Sequence, residues 1–289
     1  TMVIHVSADR SRVQIVSIPR DTLVDIPACK HRDGTTSEPT TDDMFNNAMV
    51  YGADGGDEPE DIGPGIACVR STVEKLSGMS IDAFMVVDFA GFVNMIDSLG
   101  GVWFNIPERI DDDSAQLYID EGCWKLSGTH ALAYMRSRKG QGDGSDISRI
   151  GRQQKLMAAM MRAAMNKNLL TEGPALYDFI SATLSSLTVD PAIGNLSTLA
   201  GLAMSMNSIG MQNVNFITMP NTVDPLDDNR VIPTDDASTV WEALRKDAPI
   251  PGTITHTSAD GSTTAPTDQP STPSAPDGQE TTPDQGAPA

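Results

Sequence analysis

Residues 2–22 read MVIHVSADRSRVQIVSIPRDT. Two apolar, β-branched runs, Met2 to Val6 and Val13 to Ile18, flank the turn residues Asp9-Arg10-Ser11, and this pattern predicts a β-hairpin. The second run then leaves its strand through Pro19-Arg20-Asp21. In open α/β sheets, ligands bind outside the carboxyl ends of the strands, which makes Arg20 a candidate ligand-facing residue. The plainer reading is a surface turn closed by Arg20 and Asp21.

Outward from the hairpin, helix and strand signals alternate. Gly65 to Leu76 reads as a helix ending at Gly78, and Phe84 to Phe89 as an apolar strand. Gly91 to Leu99 reads as a short helix stopped by Gly100-Gly101. Val102 to Ile106 is a strand closed by Pro107. Leu126 to Ala133 reads as a helix leading into a short strand at Tyr134 to Arg138. Ile147 to Asn168 is the longest helix, Asn213 to Met219 a late strand, and Ala237 to Lys246 a final helix. Residues 31–43 and 53–65 are polar, acidic or Gly-rich and read as surface loops. The alternation predicts a three-layer αβα domain around a central mixed β-sheet. One domain is expected over residues 1–252, because no linker-like break divides it. Residues 253–289 contain no Lys, Arg, Leu, Val, Phe, Tyr or Trp. Such a segment cannot offset its ordering entropy by apolar burial, so it reads as a disordered Thr/Pro/Ser-rich tail.

The 289 residues carry a formal net charge of −19. The chain as a whole should repel nucleic acid and anionic lipid surfaces, so no nucleic-acid partner is expected and any anion site must be local. Among Cys29, Cys68 and Cys123 there is no C-x-x-C pair, so a zinc site is not expected. At most one internal disulfide can form. No run of about 18 apolar residues is present, and no signal peptide is visible. The chain starts at Thr1 directly in strand-like sequence, which reads as a fragment whose N-terminus was removed.

Against this acidic background, Arg136, Arg138, Lys139, Arg149, Arg152 and Lys155 crowd one short segment that holds only two acids, Asp143 and Asp146. If Tyr134 to Arg138 is extended, Arg136 and Arg138 point to one face. Arg149 and Gln153 share a face of the long helix, four residues apart. Arg149 also falls in its first turn, where unpaired N–H groups and partial positive charge suit phosphate. Guanidinium groups add planar, bidentate donors that stay charged. The opposite stripe, Ile150, Met157, Met160, Met161 and Ala164, should face the core. For Arg152, Lys139 and Lys155 an ordinary solvated face is the simpler reading.

Several ordered motifs carry a family resemblance: Val16-Ser17-Ile18-Pro19-Arg20-Asp21-Thr22, the NNAMVYG run at 46–52, Val87-Asp88-Phe89-Ala90-Gly91-Phe92 with Gly100-Gly101-Val102, Leu126-Ser127-Gly128 followed by ALAYMRSR at 131–138, and SRIGRQQ at 148–154. In this order they resemble the LytR–CpsA–Psr family of cell-envelope enzymes, strongly over about residues 1–165 and more weakly through 166–252. The resemblance implies an extracytoplasmic α/β domain held at the cell membrane by an N-terminal anchor. It implies binding of a polyprenyl pyrophosphate in an apolar tunnel, with arginines and Mg²⁺ (or Mn²⁺) at the head group. The implied reaction transfers a glycopolymer from that carrier to peptidoglycan and releases polyprenyl phosphate. By motif match, Arg20, Arg136, Arg138, Arg149, Gln153 and Asn46 bind pyrophosphate. Arg20, Arg136 and Arg138 also stabilise the charge that develops as the linkage breaks. Asp21 is the nearest candidate general base. Metal ligands stay unassigned.

Three departures from the family pattern stand out. The family's metal-site Asp immediately before the position of Thr1 lies outside the chain. The lysine common two residues before the Asn46 position is Met44 here, which removes one cation. Relatives with a cysteine at the Cys123 position often carry a partner near Asn105, so the resemblance favours a Cys29–Cys68 disulfide with Cys123 free. Two further functions stay open: a phosphohydrolase acting on the same lipid class, and a non-catalytic module binding lipid phosphate or envelope polymer.

Overall fold

The computed structural model describes residues 1–56, 58, 60–137, 146–166, 173–184, 187–205 and 208–264. In chain order its elements are β1 Met2–Val6, β2 Val13–Ser17, β3 Leu23–Ile26, β4 Thr40–Met44, α1 Asn47–Gly52, α2 Ile62–Ser77, β5 Met85–Val87, α3 Phe89–Ser98, β6 Val102–Ile106, β7 Ile110–Asp112, β8 Leu117–Ile119 and β9 Gly122–Leu126. They continue with α4 Gly128–Arg136, α5 Asp146–Asn166, α6 Gly173–Leu184, β10 Leu187–Val189, α7 Leu196–Ser205, β11 Val214–Thr218, β12 Asn221–Asp224, β13 Asp227–Pro233, α8 Asp235–Arg245, β14 His256–Ser258 and β15 Thr263–Thr264.

Every residue of β2 is buried, because this strand is paired on both edges and covered on both faces. It runs antiparallel to β1 and parallel to β11. β11 pairs antiparallel with β14, and β14 with β15, giving a mixed five-stranded sheet in the order β1-β2-β11-β14-β15. Side chains alternate across it. Val13, Ile15, Val214 and Phe216 pack with Ala158, Met157 and Met161 of α5. Val16, Ile18, Ile217 and Met219 join a separate core with Cys68 and Val73 of α2 and Val240, Trp241 and Leu244 of α8. Helix, sheet and helix therefore form the three expected layers.

The β1–β2 turn falls where the sequence places it, with Arg10 in the left-handed region at φ 57°. α2 ends at Gly78, whose φ of 67° suits a residue without Cβ. α5 is shared between two cores. Leu156 and Ala159 enter a third cluster with Ile96 of α3, Phe104 of β6, Ile110 of β7, Leu117 of β8 and Tyr134 of α4. The predicted stripe is thus split: Met157 and Met161 face the sheet, and Met160 and Ala164 face this smaller lobe.

Four readings need correction. Tyr134 to Arg136 is helix, not strand, because α4 runs from the Ser127 cap through Arg136. Burial of Ala131 and Tyr134 at helical spacing wins, with the Tyr134 ring edge-on to Phe104 at 4.9 Å between centroids. The apolar run at 84–89 yields only the exposed strand β5, and Phe89 opens α3 behind the Asp88 cap, which accepts from Gly91 N at 2.6 Å. Within the segments read as loops, Thr40–Met44 pairs with β3 and Ile62 already begins α2. Residues 253–264 are not tail: β14 completes the open edge of β11, with Ala259 and Ile254 buried. The expected tail from residue 265 onward lies outside the described residues.

Cys29 and Cys68 form a disulfide with Cα atoms 5.2 Å apart, while Cys123 is free and exposed. Cys123 stands directly opposite Asn105 in the β6–β9 register, where the partner cysteine of the resembled family is expected.

Candidate functional site

The carboxyl ends of the parallel strands β2 and β11 are Ser17 and Thr218. Gln154 of α5 donates to both hydroxyls, at 3.0 and 3.3 Å. Its amide therefore fixes the middle of α5 over the sheet edge where an α/β fold presents its ligand site. Arg20 follows Ser17 by three residues, and Gln153 is the neighbour of Gln154 on the helix.

On the strand side, Arg20 Nε lies 3.3 Å from Asp21 Oδ2, and the Arg20 side chain is exposed. The Arg20 carbonyl accepts from Asn46 N at 3.0 Å, and the Thr22 carbonyl from Phe45 N at 2.8 Å. These bonds seat the exposed Asn46, at the entrance of α1, beside Arg20. Asp43 backs this corner. Its carboxylate accepts from Asn47 and Tyr51. Burial pushes that carboxyl up, but these hydrogen bonds outweigh it and hold it below the usual carboxylate range.

On the helix side, α4 delivers Arg136 in its last turn, where a cation complements the helix dipole. The Arg136 guanidinium sits over the Phe89 ring, 5.5 Å from its centroid. The next residue, Ser137, is the hub of a buried polar chain. Ser137 Oγ donates to Asp112 Oδ2 at 2.8 Å, and its carbonyl accepts from Arg152 Nη2 at 3.0 Å. Asp112 Oδ1 in turn accepts from Ser114 and Ala115 N–H groups. Arg152 is only 7% exposed, so it is not the surface charge that its sequence context suggests. Desolvation lowers its guanidinium pKa, and burial pushes the neighbouring Tyr134 phenol up to about 12. Arg152 thus clamps the end of α4 against α5 and aims Arg136. Arg149 occupies the first turn of α5 as expected and is half-buried, as is Gln153. Lys155 is exposed.

The sheet corner therefore gathers Arg20, Asp21 and Asn46, while Arg136 ends α4 and Arg149 stands in the first turn of α5, two helices joined by the Arg152–Ser137 hydrogen bond. Gln154 ties α5 to the ends of β2 and β11. Arg138 and Lys139 lie outside the described residues. Sequence reasoning missed Asp112, Ser137, Arg152 and Gln154. The last lies inside the quoted SRIGRQQ run, but nothing local marks it as the strand-bridging residue. Next to Arg136 lies an exposed apolar strip: Met85, Val86 and Val87 of β5, then Phe89 at 63% exposure. β5 pairs with β10, and α3, α6 and α7 pack around this region. Open cavities lie between α1 and α2 and at the start of α8, and neither is lined by the predicted set. Among the described residues no group of three or more His, Cys, Asp or Glu converges to hold a metal, and no helix is long and apolar enough to cross a membrane.

A mixed sheet with Arg20 just past the carboxyl end of β2, and Arg136 beside exposed apolar surface at the end of α4, defines the α/β domain that carries these residues. The model of the LytR_cpsA_psr family matches residues 1–246, and the chain belongs to that family. It is 28% identical over 231 residues to "Cell wall biosynthesis protein LcpA" of Corynebacterium glutamicum, covering 76% of this chain and 42% of that protein. It is 29% identical over 165 residues to "Polyisoprenyl-teichoic acid--peptidoglycan teichoic acid transferase TagV" of Bacillus subtilis, covering 55% of this chain and 37% of that protein. The match thus spans about two fifths of the length of these relatives. The solved "LytR-Csp2A-Psr enzyme from Actinomyces oris" shares the fold with a TM-score of 0.59 at 20% identity, covering 84% of this chain and 83% of that one.

Proposed function

We propose that this domain transfers a glycopolymer from a polyprenyl-pyrophosphate carrier to peptidoglycan during cell-wall assembly. The names of its curated relatives, a cell-wall biosynthesis protein and a teichoic acid transferase, support that reaction class. The single observation that carries the choice of ligand is Arg136 seated over Phe89, at the end of the exposed apolar run Met85–Val87. A polyprenyl pyrophosphate needs cations at one end and apolar surface at the other, and the two meet at this point.

In the proposed reaction, Arg20, Arg136, Arg138, Arg149, Gln153 and Asn46 hold the pyrophosphate. The acceptor hydroxyl attacks the phosphorus on the glycan side. The bond from that phosphorus to the bridging oxygen breaks, and polyprenyl phosphate leaves with the electron pair. Asp21 takes the hydroxyl proton. Arginines stay charged throughout and meet the negative charge that develops on the leaving phosphate. Arg152 and Ser137 touch no substrate in this scheme; they fix the α4 end that carries Arg136.

Mg²⁺ or Mn²⁺ belongs to the proposal. Mg²⁺ commonly takes one or two protein carboxylates and completes its shell with substrate phosphate oxygens and water. The ion would be held mainly by the pyrophosphate oxygens and water, which leaves Asp21 to act as the base. When bound, the ion supplies further neutralisation of phosphate charge. The whole protein would work outside the cytoplasmic membrane, held there by an N-terminal anchor.

The test incubates the full-length protein with lipid-linked glycan, peptidoglycan and Mg²⁺. The expected result is a covalent glycan–peptidoglycan adduct with release of polyprenyl phosphate, and loss of both in Arg136→Ala and Arg138→Ala. Free glycan phosphate without adduct would instead identify a hydrolase. Undiminished product in both variants would sink the site assignment.

A further inference from the structure

One cation of the resembled family is missing at Met44, and the fold brings another to the same place. We propose that Arg230, on β13, is a pyrophosphate-binding residue that supplies the charge Met44 lacks; this rests on the site reading above. Met44 ends β4 and is paired with Leu23 of β3. The Arg230 guanidinium contacts Met44 Sδ through Nη1. β13 is locked to the same corner by its next residue, since Val231 N donates to the Asp21 carbonyl at 3.2 Å and Val231 bridges Thr22. Arg20, Asp21, Met44, Asn46 and Arg230 therefore surround one spot, although Arg230 is 186 residues from Met44 in the chain.

The chemistry of Arg230's contacts favours an anion. A thioether is a weak acceptor and carries no charge to balance a guanidinium. The carboxylate in reach, Asp227 Oδ2, lies 3.5 Å from Nε, and the Arg230 side chain is 31% exposed. Nε and Nη1 face these two partners, and a guanidinium carries five N–H donors, more than these two contacts use. An arginine on β13 that reaches a methionine on β4 presents its cation where a lysine at position 44 would present its own.

The experiment measures binding of farnesyl diphosphate to the purified domain by calorimetry. Arg230→Gln keeps a polar side chain and removes the charge. It should weaken binding by about tenfold or more, in line with the worth of a charged hydrogen bond. Met44→Lys added to Arg230→Gln should return the affinity to within about threefold of the starting protein. Thermal melting confirms that each variant folds. Wild-type affinity in a folded Arg230→Gln, or no recovery in the double variant, overturns the inference. Arg136→Ala separates the two levels. If it loses binding while Arg230→Gln does not, only Arg230 is misassigned. If neither loses binding, or wild type fails to bind, the site reading falls and takes this inference with it.

Discussion

Removing the Cys29–Cys68 bridge, as Cys29→Ala with Cys68→Ala, tests how the sheet corner is held. The bond closes a loop of sequence separation 39. For that length the chain-entropy relation gives about 4 kcal/mol lost at room temperature. In a domain of this size each kcal/mol moves the melting temperature by about 2–4 °C, so the double variant should melt about 8–16 °C lower. Both residues are buried in the core formed by β2, β3, α2 and α8, so loss of the sulfurs adds to the effect. Differential scanning calorimetry of oxidised wild type and the double variant reads the shift. Thiol titration fixes the starting state: the native oxidised protein should show one reactive thiol, Cys123, and three after denaturation with reductant. A shift under about 2 °C in a variant of native fold would refute the loop-closure reasoning.

Other outcomes follow from single contacts. Gln154→Leu strands the Ser17 and Thr218 hydroxyls and should cost about 1–3 kcal/mol in a urea titration, with weaker farnesyl diphosphate binding because α5 is no longer fixed to the sheet edge. A wild-type midpoint would show that the two hydrogen bonds contribute nothing. Gly128→Ala would place a Cβ 2.4 Å from the Val93 carbonyl, forcing α3 and α4 apart; thermal melting should show a loss of about 1–3 kcal/mol, and an unchanged melting point would deny that close packing. The Ile81 N–H, with help from Arg70, holds the Glu74 carboxyl below its ordinary range. A lowered folded-state pKa stabilises above the unfolded value, about 4.3, and is lost as pH falls through the folded value. Glu74→Gln should therefore be less stable than wild type near neutral pH and converge with it in acid; a gap that persists at low pH would contradict this account.

Much of the scaffold was legible because it is written in short-range periodicity. β1, β2, β6, α2, α3, α5 and α8 lie within a few residues of their predicted spans. Each pairs a recognisable apolar pattern with a local stop, such as Gly78 or Gly100-Gly101. Elements whose patterns are polar went unseen. β4 reads TTDDM and β13 reads DDNRVIP, and both exist because a neighbouring strand takes up their backbone N–H and C=O groups. β14 was masked by tail-like composition for the same reason.

The sequence by itself determined that the chain is α/β, that its positive charge is concentrated between Arg136 and Lys155, and that its ordered motifs mark a LytR–CpsA–Psr domain. These are properties of residue type and spacing, which no folding is needed to read. Tertiary structure alone decided how the charges are used. Ala131 and Tyr134 found Phe104, so the Arg136 segment became helix rather than strand. Ser137 and Asp112 found Arg152, so one arginine went inside as a clamp. Gln154 found Ser17 and Thr218, and Arg230 found Met44. Each pairing joins residues well separated in sequence, and its free energy depends on packing and desolvation that exist only once the layers have closed.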